Sequence, residues 1–438
     1  MTLFLLIFSI AIGFVFVGNL IGRCSPLLNR LSLPGAVLGG IVALMLGPQV
    51  VPPSFWPMDA EQSINRFYEG VSEFPGLFIN VVFACLMLGR TIEPFRAIWS
   101  RSKPNIVMGH IYAWGQYVVG LTVTLAILVP VLGLSKLSGP LIAIGFQGGH
   151  GTAAGLGSNF EELGFADGQS LAMAVATFGI LAGAVAGPFL ANYLRMREDA
   201  KNISEDSNPT NNPQKRPDDD SKPQQSLEPN PLTGRLTVHL AVVLIVIAIG
   251  WFVLEGLQQF ERFIRSSQRD IYFTDFIPLF SIVLLAGMGF QMILQKSRWG
   301  SLFDRGLFEK ISSFGLDMVI VSALATLSMK LIGQHWMALL LLCLVGLGWN
   351  LGVFFLLGPA IYRRPWYAYA LGDLGGGTAT TASGLLLVRV ADPHTQTNAL
   401  AAYTDKQPFY EPLMGGGIVT ALALPSVAFL GAPATLTI

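Results

Sequence analysis

The sequence predicts an all-α polytopic membrane protein with about ten transmembrane helices, arranged as two inverted-topology repeats of five that each carry a re-entrant loop. Of the 438 residues, 52% are hydrophobic and only 12% are charged, against about 25% charged in soluble domains. Apolar runs near the ~20 residues that a spanning helix needs recur along the chain. Two glycine- and threonine-rich stretches interrupt these runs, one in each half.

The apolar runs predict five spans in each half. The N-terminal repeat, 1–194, is expected to contain helices near 2–22, 33–50, 74–90, 105–131 and 168–194. The C-terminal repeat, 237–438, is expected to contain helices near 237–256, 277–293, 312–331, 337–361 and 412–432. The first run has no basic N-terminal region and no small-residue cleavage site, so we interpret it as a span and not as a signal peptide.

A polar segment, 195–236, separates the two repeats. It is rich in Asp, Lys, Asn, Ser, Gln and Pro, a composition that cannot bury a core. We therefore expect a flexible linker and not a domain.

The placement of lysine and arginine predicts the orientation, because cytoplasmic segments are enriched in both. With the N-terminus outside, only six of the 27 basic residues fall on the outer side, namely Arg66, Lys136, Arg262, Arg265, Arg269 and Lys330. The sequence therefore predicts a multi-pass protein of the plasma (inner) membrane, with both termini outside and the central linker in the cytoplasm.

Five predicted spans, an odd number, precede the linker, so the second half enters the membrane with reversed polarity. The stretch near 138–165 would then enter the membrane from outside and the stretch near 365–390 from inside; we call them the first and second loop segments. The glycines of the two segments correspond at constant spacing: Gly145, Gly148 and Gly149 with Gly372, Gly375 and Gly376. Paired helix interruptions of this kind mark the binding site of a secondary transporter, since non-helical backbone at membrane depth is tolerated only inside protein or around a watery cavity.

The first loop segment offers groups for both an anion and a cation. Gly148, Gly149 and Gly151 let the backbone turn sharply and approach a ligand, and Thr152 adds a hydroxyl. A helix starting here would aim free N–H groups at an anion, while carbonyls freed by the turn would suit Na⁺. His150 would either donate to a substrate carboxylate or hold the turn. Close helix packing is the alternative role of such glycines, but their density and repetition favour a site.

The second loop segment combines glycines with hydroxyl groups: Gly375, Gly376, Gly377, Thr378, Thr380, Thr381 and Ser383, with Asp373 just before them. Burying several hydroxyls is costly unless they find partners. Coordination of an ion or a substrate would supply those partners. Hydrogen bonds from the threonines to helical carbonyls are the alternative.

Polar residues inside the predicted spans extend the set of candidates. Asn80, Asn350 and Asp317 are candidates to line the path and, with Thr378, Thr380 and Thr381, to coordinate Na⁺, because an intramembrane polar or acidic group is expensive to bury. Gln116 lies in the fourth span, which corresponds to the ninth span of Asn350. For the charged residues after the second loop segment we expect a solvated cytoplasmic hinge, with a local ion-pair network as the alternative: Arg389, Asp392, Asp405 and Lys406.

Several other classes of function find no support in the sequence. The net charge is zero and no basic stripe is present, so we expect no nucleic-acid partner. Cys24, Cys85 and Cys343 are isolated, which predicts apolar packing and no metal site. The glycines of the first segment do not follow a strand, so they form no dinucleotide fingerprint. Motifs of intramembrane enzymes are missing; a channel is harder to exclude.

Gly148-Gly149-His150-Gly151-Thr152-Ala153 resembles the re-entrant-loop signature of the glutamate:sodium symporter family. The ten-span pattern, linker and inverted halves are similar as well. The resemblance implies sodium-coupled symport of L-glutamate into the cell by alternating access, with Na⁺ as the coupling ion, no cofactor and a homodimer in the lipid bilayer. It implies substrate binding at Gly148 to Thr152 and at Gly375 to Thr381. The alternative is cation-coupled transport of another dicarboxylate or amino acid on the same fold.

Overall fold

The computed structural model describes residues 2–25, 34–51, 58–205, 236–264, 272–393 and 397–437, and helices are the only regular elements in these ranges. The N-terminal half forms α1 (Thr2–Cys24), α2 (Gly35–Met45), α3 (Met58–Ser72), α4 (Phe74–Met87), α5 (Phe95–Val123), α6 (Leu141–Phe146), α7 (Gly149–Gly155), α8 (Gly157–Glu162) and α9 (Gly168–Glu205). The C-terminal half forms α10 (Leu236–Ile264), α11 (Leu279–Leu294), α12 (Arg305–Ala325), α13 (Met329–Gln334), α14 (Trp336–Ile361), α15 (Trp366–Thr378), α16 (Thr381–Ala391), α17 (Ala399–Leu413), α18 (Ile418–Leu430) and α19 (Ala432–Thr437).

Within these ranges, seven helical stretches are long and apolar enough to cross a bilayer: Leu3–Cys24, Gln62–Met87, Phe95–Leu128, Gly168–Arg197, Leu236–Ile264, Trp336–Ile361 and Ala399–Leu430. Large apolar side chains on their outer faces are exposed, such as Phe252, Phe263 and Leu356. Such faces suit lipid, because lipid satisfies no polar group. The chain is therefore a multi-pass membrane protein.

Three predicted spans are not among these seven stretches. The span predicted near 33–50 contains α2, of 11 residues, and that near 277–293 contains α11, of 16 residues. Both are shorter than the ~20 residues needed to cross a bilayer unaided. The span near 312–331 contains α12, whose first turns carry Arg305, Glu309 and Lys310. The count of ten spans thus stays a prediction.

The predicted linker is described only at its edges. α9 continues past residue 194 to Glu205, and α10 begins at Leu236. The remainder, 206–235, lies outside the described residues.

Helices from corresponding places in the two halves pack against each other. α4 packs on α12, and α5 packs on α14. In the first pair, the rings of Phe78 and Phe314 meet edge to face with centroids 6.0 Å apart, a favourable aromatic geometry. The two halves therefore share one interior and are not separate bundles.

Side chains of the C-terminal half form hydrogen bonds with the backbone at the C-terminal end of α4. Arg305 Nη1 donates to the carbonyls of Cys85, Leu86 and Leu88, at 2.9, 3.2 and 2.7 Å. Gln291 accepts from the N–H of Gly89 at 2.9 Å and donates to the carbonyl of Arg90 at 2.7 Å. The last carbonyls of a helix have no partner within it, so these contacts let α4 end inside the protein.

We expect Arg305→Met to destabilise the fold by about 2 kcal/mol, because it removes a charged donor from buried carbonyls. Thermal unfolding of the purified protein in detergent measures the loss as a lower midpoint. Lys330→Met, which removes a positive charge from an exposed position on α13, is the matched control. Equal midpoints for the two variants would contradict the role of Arg305.

Candidate functional site

The first loop segment is a series of short helices with a sharp turn between them. α6 ends at Phe146 and α7 begins at Gly149. Gly149 has φ +67°, in the left-handed region that only glycine adopts without strain. Cβ atoms added at Gly148 and Gly151 would lie 2.6 Å from the Ile144 carbonyl oxygen and 2.9 Å from Ile79 Cδ1. The predicted glycines thus permit a turn and a close approach that larger residues would block.

The second loop segment is a helical hairpin. α15 ends at Thr378, and α16 starts at Thr381 and packs back along it. A Cβ added at Gly375 would lie 2.8 Å from Gly384 Cα, so small residues set the closeness of the two arms. Thr380 caps α16, because its Oγ1 accepts from the Ser383 N–H at 3.2 Å.

The two loop segments meet at their tips. A Cβ added at Gly149 would lie 3.6 Å from the Ala379 carbonyl oxygen and 3.9 Å from Thr380 Cγ2. The turn at Gly149 therefore lies close to the break between α15 and α16, with room for about one methyl group between them. Residues from both halves of the chain therefore lie together at the tips of the two loop segments.

Two buried amides hold the end of α15. Gln116 of α5 donates to the Gly377 carbonyl at 2.6 Å and to Asn350 Oδ1 at 2.9 Å. Asn350 of α14 donates to the same carbonyl at 2.9 Å and to Thr378 Oγ1 at 3.2 Å. The Thr378 hydroxyl itself donates to the Leu374 carbonyl at 2.6 Å. The candidates Asn350 and Thr378 thus lie together and satisfy the helix end.

A buried ion pair joins α15 to α17. Asp373 and Lys406 are 1% and 2% exposed and form a salt bridge between Oδ1 and Nζ. Asp373 Oδ2 accepts from the Tyr362 hydroxyl and, at 3.1 Å, from Asn105 of α5. The ammonium of Lys406 also lies 4.9 and 4.6 Å from the ring centroids of Tyr403 and Tyr410, within the range of cation–π attraction. Both charges are therefore fully compensated.

This pair corrects the solvated hinge expected after the second loop segment. Lys406 lies on α17 inside the protein, where it neutralises Asp373. Asp405 remains partly exposed and pairs with Arg101 at 3.1 Å, while Arg389 is exposed. The expectation was wrong for Lys406. Two adjacent charged residues, Asp405 and Lys406, are typical of an exposed segment, and the sequence does not reveal that Asp373, 33 residues away, pairs with Lys406.

A cavity of about 10 Å³ lies between the second loop segment, α5, α17 and the start of the first segment's turn. Its lining comprises Gly109, Gln147, Asp373, Gly376, Gly377, Thr381, Tyr403, Lys406, Gln407, Tyr410, Glu411 and Gly415. A cavity of this size has room for about one water molecule. Most of these side chains are polar, although the cavity is buried among helices.

Two side chains that line the cavity, Glu411 and Gln147, each have a polar atom with unused hydrogen-bonding capacity. Glu411 Oε1 accepts from Thr381 at 2.7 Å, whereas Oε2 lacks a hydrogen-bond donor among the described residues. Gln147 Oε1 contacts the Tyr410 hydroxyl at 2.6 Å, whereas its Nε2 has no partner in the same ranges. Buried atoms of this kind are costly in a folded protein, so they indicate a place for a polar ligand.

Of the other predicted residues, Gly376 and Gly377 line the cavity, whereas His150 and Thr152 do not. His150 is buried and shares a 3.0 Å hydrogen bond with Thr177 of α9 through Nε2, which holds the turn. Thr152 is buried, and its hydroxyl, next to Gly416, has no hydrogen-bond partner among the described residues. Gly376 abuts the Tyr403 hydroxyl, and a Cβ at Gly377 would lie 3.2 Å from Tyr112 Cδ1.

Asn80 and Asp317 lie on the neighbouring pair α4 and α12 and do not line the cavity. Asn80 Nδ2 donates to the Gly76 carbonyl at 2.6 Å in its own helix. α7 packs on both helices, since Gly151 faces Ile79 and Leu316. Their predicted part in Na⁺ coordination therefore stays a prediction.

Sequence reasoning missed the residues that α17 contributes, above all Tyr410 and Glu411. The stretch reads as a connection because Pro408 and Pro412 interrupt it, yet it forms one helix. Lys406 and Glu411 lie in the helical stretch Ala399–Leu430, which contains a window apolar enough to cross a bilayer. Gln147, directly before the glycines, was also missed.

Comparison with known proteins now decides the family. The sequence profile of the family described as sodium/glutamate symporter matches residues 4–357. The chain belongs to this family. The range contains the first loop segment and ends before the second, so the assignment of the second segment to the site rests on its contacts.

Two curated relatives agree with this membership. The sodium/glutamate symporters of Escherichia coli (strain K12) and Shigella flexneri are each 27% identical to the chain over 169 residues. That stretch covers 38% of this chain and 38% of each relative. The family is one of transporters and not of enzymes.

We expect Lys406→Met alone to destabilise this sodium/glutamate symporter family member by about 3–5 kcal/mol, because it leaves the buried Asp373 carboxylate unpaired. The double variant Asp373→Asn with Lys406→Met should recover most of that loss, since it buries no uncompensated charge. The measurement is the thermal midpoint in detergent of the single and double variants. A double variant no more stable than the single one would show that the pair does not act by charge compensation.

Proposed function

We propose that the protein is a secondary active transporter that couples sodium influx to the uptake of L-glutamate by alternating access. The observation that carries the proposal is the meeting of the two loop segments at Gly149 and Ala379, beside a buried polar cavity, in a chain of the sodium/glutamate symporter family. The named relatives match over 38% of their length, so substrate and ion are inferred for this chain.

The substrate would bind where the segments meet. In this proposal Gly148 to Thr152 and Gly375 to Thr378 form a wall of backbone and small side chains. In the first turn of α16, Thr380 accepts from the Ser383 N–H. The other N–H groups of a first turn have no partner within the helix and, with the positive end of the helix dipole, suit the carboxylates of glutamate. His150 would act indirectly by holding the turn against α9.

The coupling sodium ion would use oxygen atoms beside the substrate. Hard cations prefer carbonyl, hydroxyl and carboxylate oxygens, and Thr378, Thr380, Thr381 and Asn350 bring such atoms to the segment tips. Asn80 and Asp317 remain further candidates on the α4–α12 pair. If bound sodium raises the affinity for glutamate, glutamate raises the affinity for sodium by the same factor.

Alternating access would follow from the inverted repeats. The packing of α4 on α12 and of α5 on α14 agrees with two equivalent halves. A cavity of about 10 Å³ holds one small group and not a whole amino acid, so the segments would separate to admit the substrate. We further propose both termini outside, a cytoplasmic linker and a homodimer.

We expect the purified protein in proteoliposomes to accumulate L-glutamate under an inward sodium gradient. The driving force lies in the gradient and not in sodium itself, so equal sodium on both sides should give only equilibration. Uptake of labelled glutamate measures the difference. Equal rates in the two conditions would contradict sodium coupling.

Gly149→Val is expected to abolish transport, because its side chain would enter the contact with Ala379 and Thr380. The control is Gly133→Val: Gly133 has nearly the same φ, +66°, but an added Cβ there meets nothing within 4 Å. Both variants carry the strain of a β-branched residue in the left-handed region, so only the contact differs. Comparable uptake by the two variants, at equal membrane expression, would refute a role of the tip contact in transport.

A further inference from the structure

We infer that Glu411 recognises the α-ammonium group of the substrate and so makes the site selective for amino acids over plain dicarboxylates. This inference rests on the proposed function, which it deepens: the carboxylates alone would not distinguish glutamate from glutarate. Glu411 lies on α17, which forms one side of the cavity.

Glu411 is held for such a role. The residue is 6% exposed, and the 2.7 Å hydrogen bond from Thr381 to Oε1 fixes the carboxylate at the start of α16. Oε2 lacks a hydrogen-bond donor among the described residues. Arg90 Nη1 lies 3.7 Å from it, which compensates its charge but exceeds hydrogen-bonding distance. A lone pair on Oε2 is therefore left for a donor.

The size and polarity of the cavity favour an ammonium group. About 10 Å³ accommodates one water-sized group, and an ammonium group has three donors and no acceptor. On the same cavity wall, Gln147 Nε2 is a donor without a partner in the described ranges, and it suits a carboxylate of the same molecule. Once the segments separate to admit the substrate, one amino acid would satisfy both unused atoms.

A sodium ion fits this place less well. Hard cations bind several oxygen atoms at once, whereas Glu411 Oε2 is the one carboxylate oxygen on the cavity wall that lacks a hydrogen-bond donor among the described residues. Asp373, the other acid on its wall, is already occupied by Lys406, Tyr362 and Asn105. We therefore place the substrate's amino group, and not the coupling ion, at Glu411.

The test compares L-glutamate with glutarate, the dicarboxylate of the same length that lacks the amino group, and with N-acetyl-L-glutamate, whose nitrogen carries no charge. The variants are Glu411→Gln, nearly identical in shape, and the control Asp405→Asn, which removes a carboxylate from the same helix at a partly exposed position. The readouts are competition against labelled glutamate uptake and ligand-induced thermal stabilisation of purified protein in sodium. The second readout needs no transport.

In the wild type and in Asp405→Asn, glutarate and N-acetyl-L-glutamate should bind about 10- to 100-fold more weakly than L-glutamate, the range expected for one charge-assisted hydrogen bond. In Glu411→Gln the ratio of the glutarate and L-glutamate dissociation constants should fall toward one, because glutamate binding weakens and glutarate binding does not. An unchanged ratio would overturn the inference. So would a higher sodium requirement with unchanged ratio, which would assign Glu411 to the cation.

Two controls separate the inference from the proposed function and from misfolding. If the wild type is stabilised by amino acids over their deaminated analogues but shows no sodium-driven uptake, the proposed transport fails while the recognition by Glu411 stands. If Glu411→Gln does not give a monodisperse protein, Thr381→Val frees the carboxylate instead and should lower the same ratio by a smaller factor. If the wild-type protein binds glutarate as tightly as L-glutamate, that result alone contradicts the inference.

Discussion

Every place where a helix stops inside this protein must find new partners for its backbone, because neither lipid nor apolar side chains provide any. Gln116 and Asn350 serve the carbonyl of Gly377 at the end of α15. Arg305 and Gln291 serve the end of α4. In both places at least one donor comes from the other half of the chain. The breaks at the candidate site therefore also join the two halves of the chain.

The buried acidic side chains also have compensating partners nearby. Asp373 is paired with Lys406, and Glu411 faces Arg90 at a longer distance. Hydrogen bonds from Tyr362 and Asn105 complete the first pair, whereas Glu411 Oε2 in the second pair finds no hydrogen-bond donor in the part of the chain that the structure describes. The contrast separates a structural ion pair from an acid with capacity for a ligand.

The sequence allowed the membrane class, the family resemblance and the two loop segments to be predicted, because matched glycine clusters within apolar runs are typical of broken helices at a binding site. It also placed Gln116 and Asn350 at corresponding positions, and these two side chains form a hydrogen bond. The partners of His150 and Lys406 could not be predicted, since Thr177 and Asp373 reach them only through helix packing. The lengths of α2 and α11 could not be predicted either, because these helices end within longer apolar runs.

The Asp373–Lys406 pair has an electrical consequence. A single charge that crosses the membrane field does work of about 2.3 kcal/mol per 100 mV, and a moving helix with an unpaired charge would sense the voltage directly. Asp373 and Lys406 join α15 to α17 as a neutral unit. Displacement of these two helices together transfers no net charge from this pair, so in the proposed transport cycle the solutes, and not this part of the protein, would carry the current.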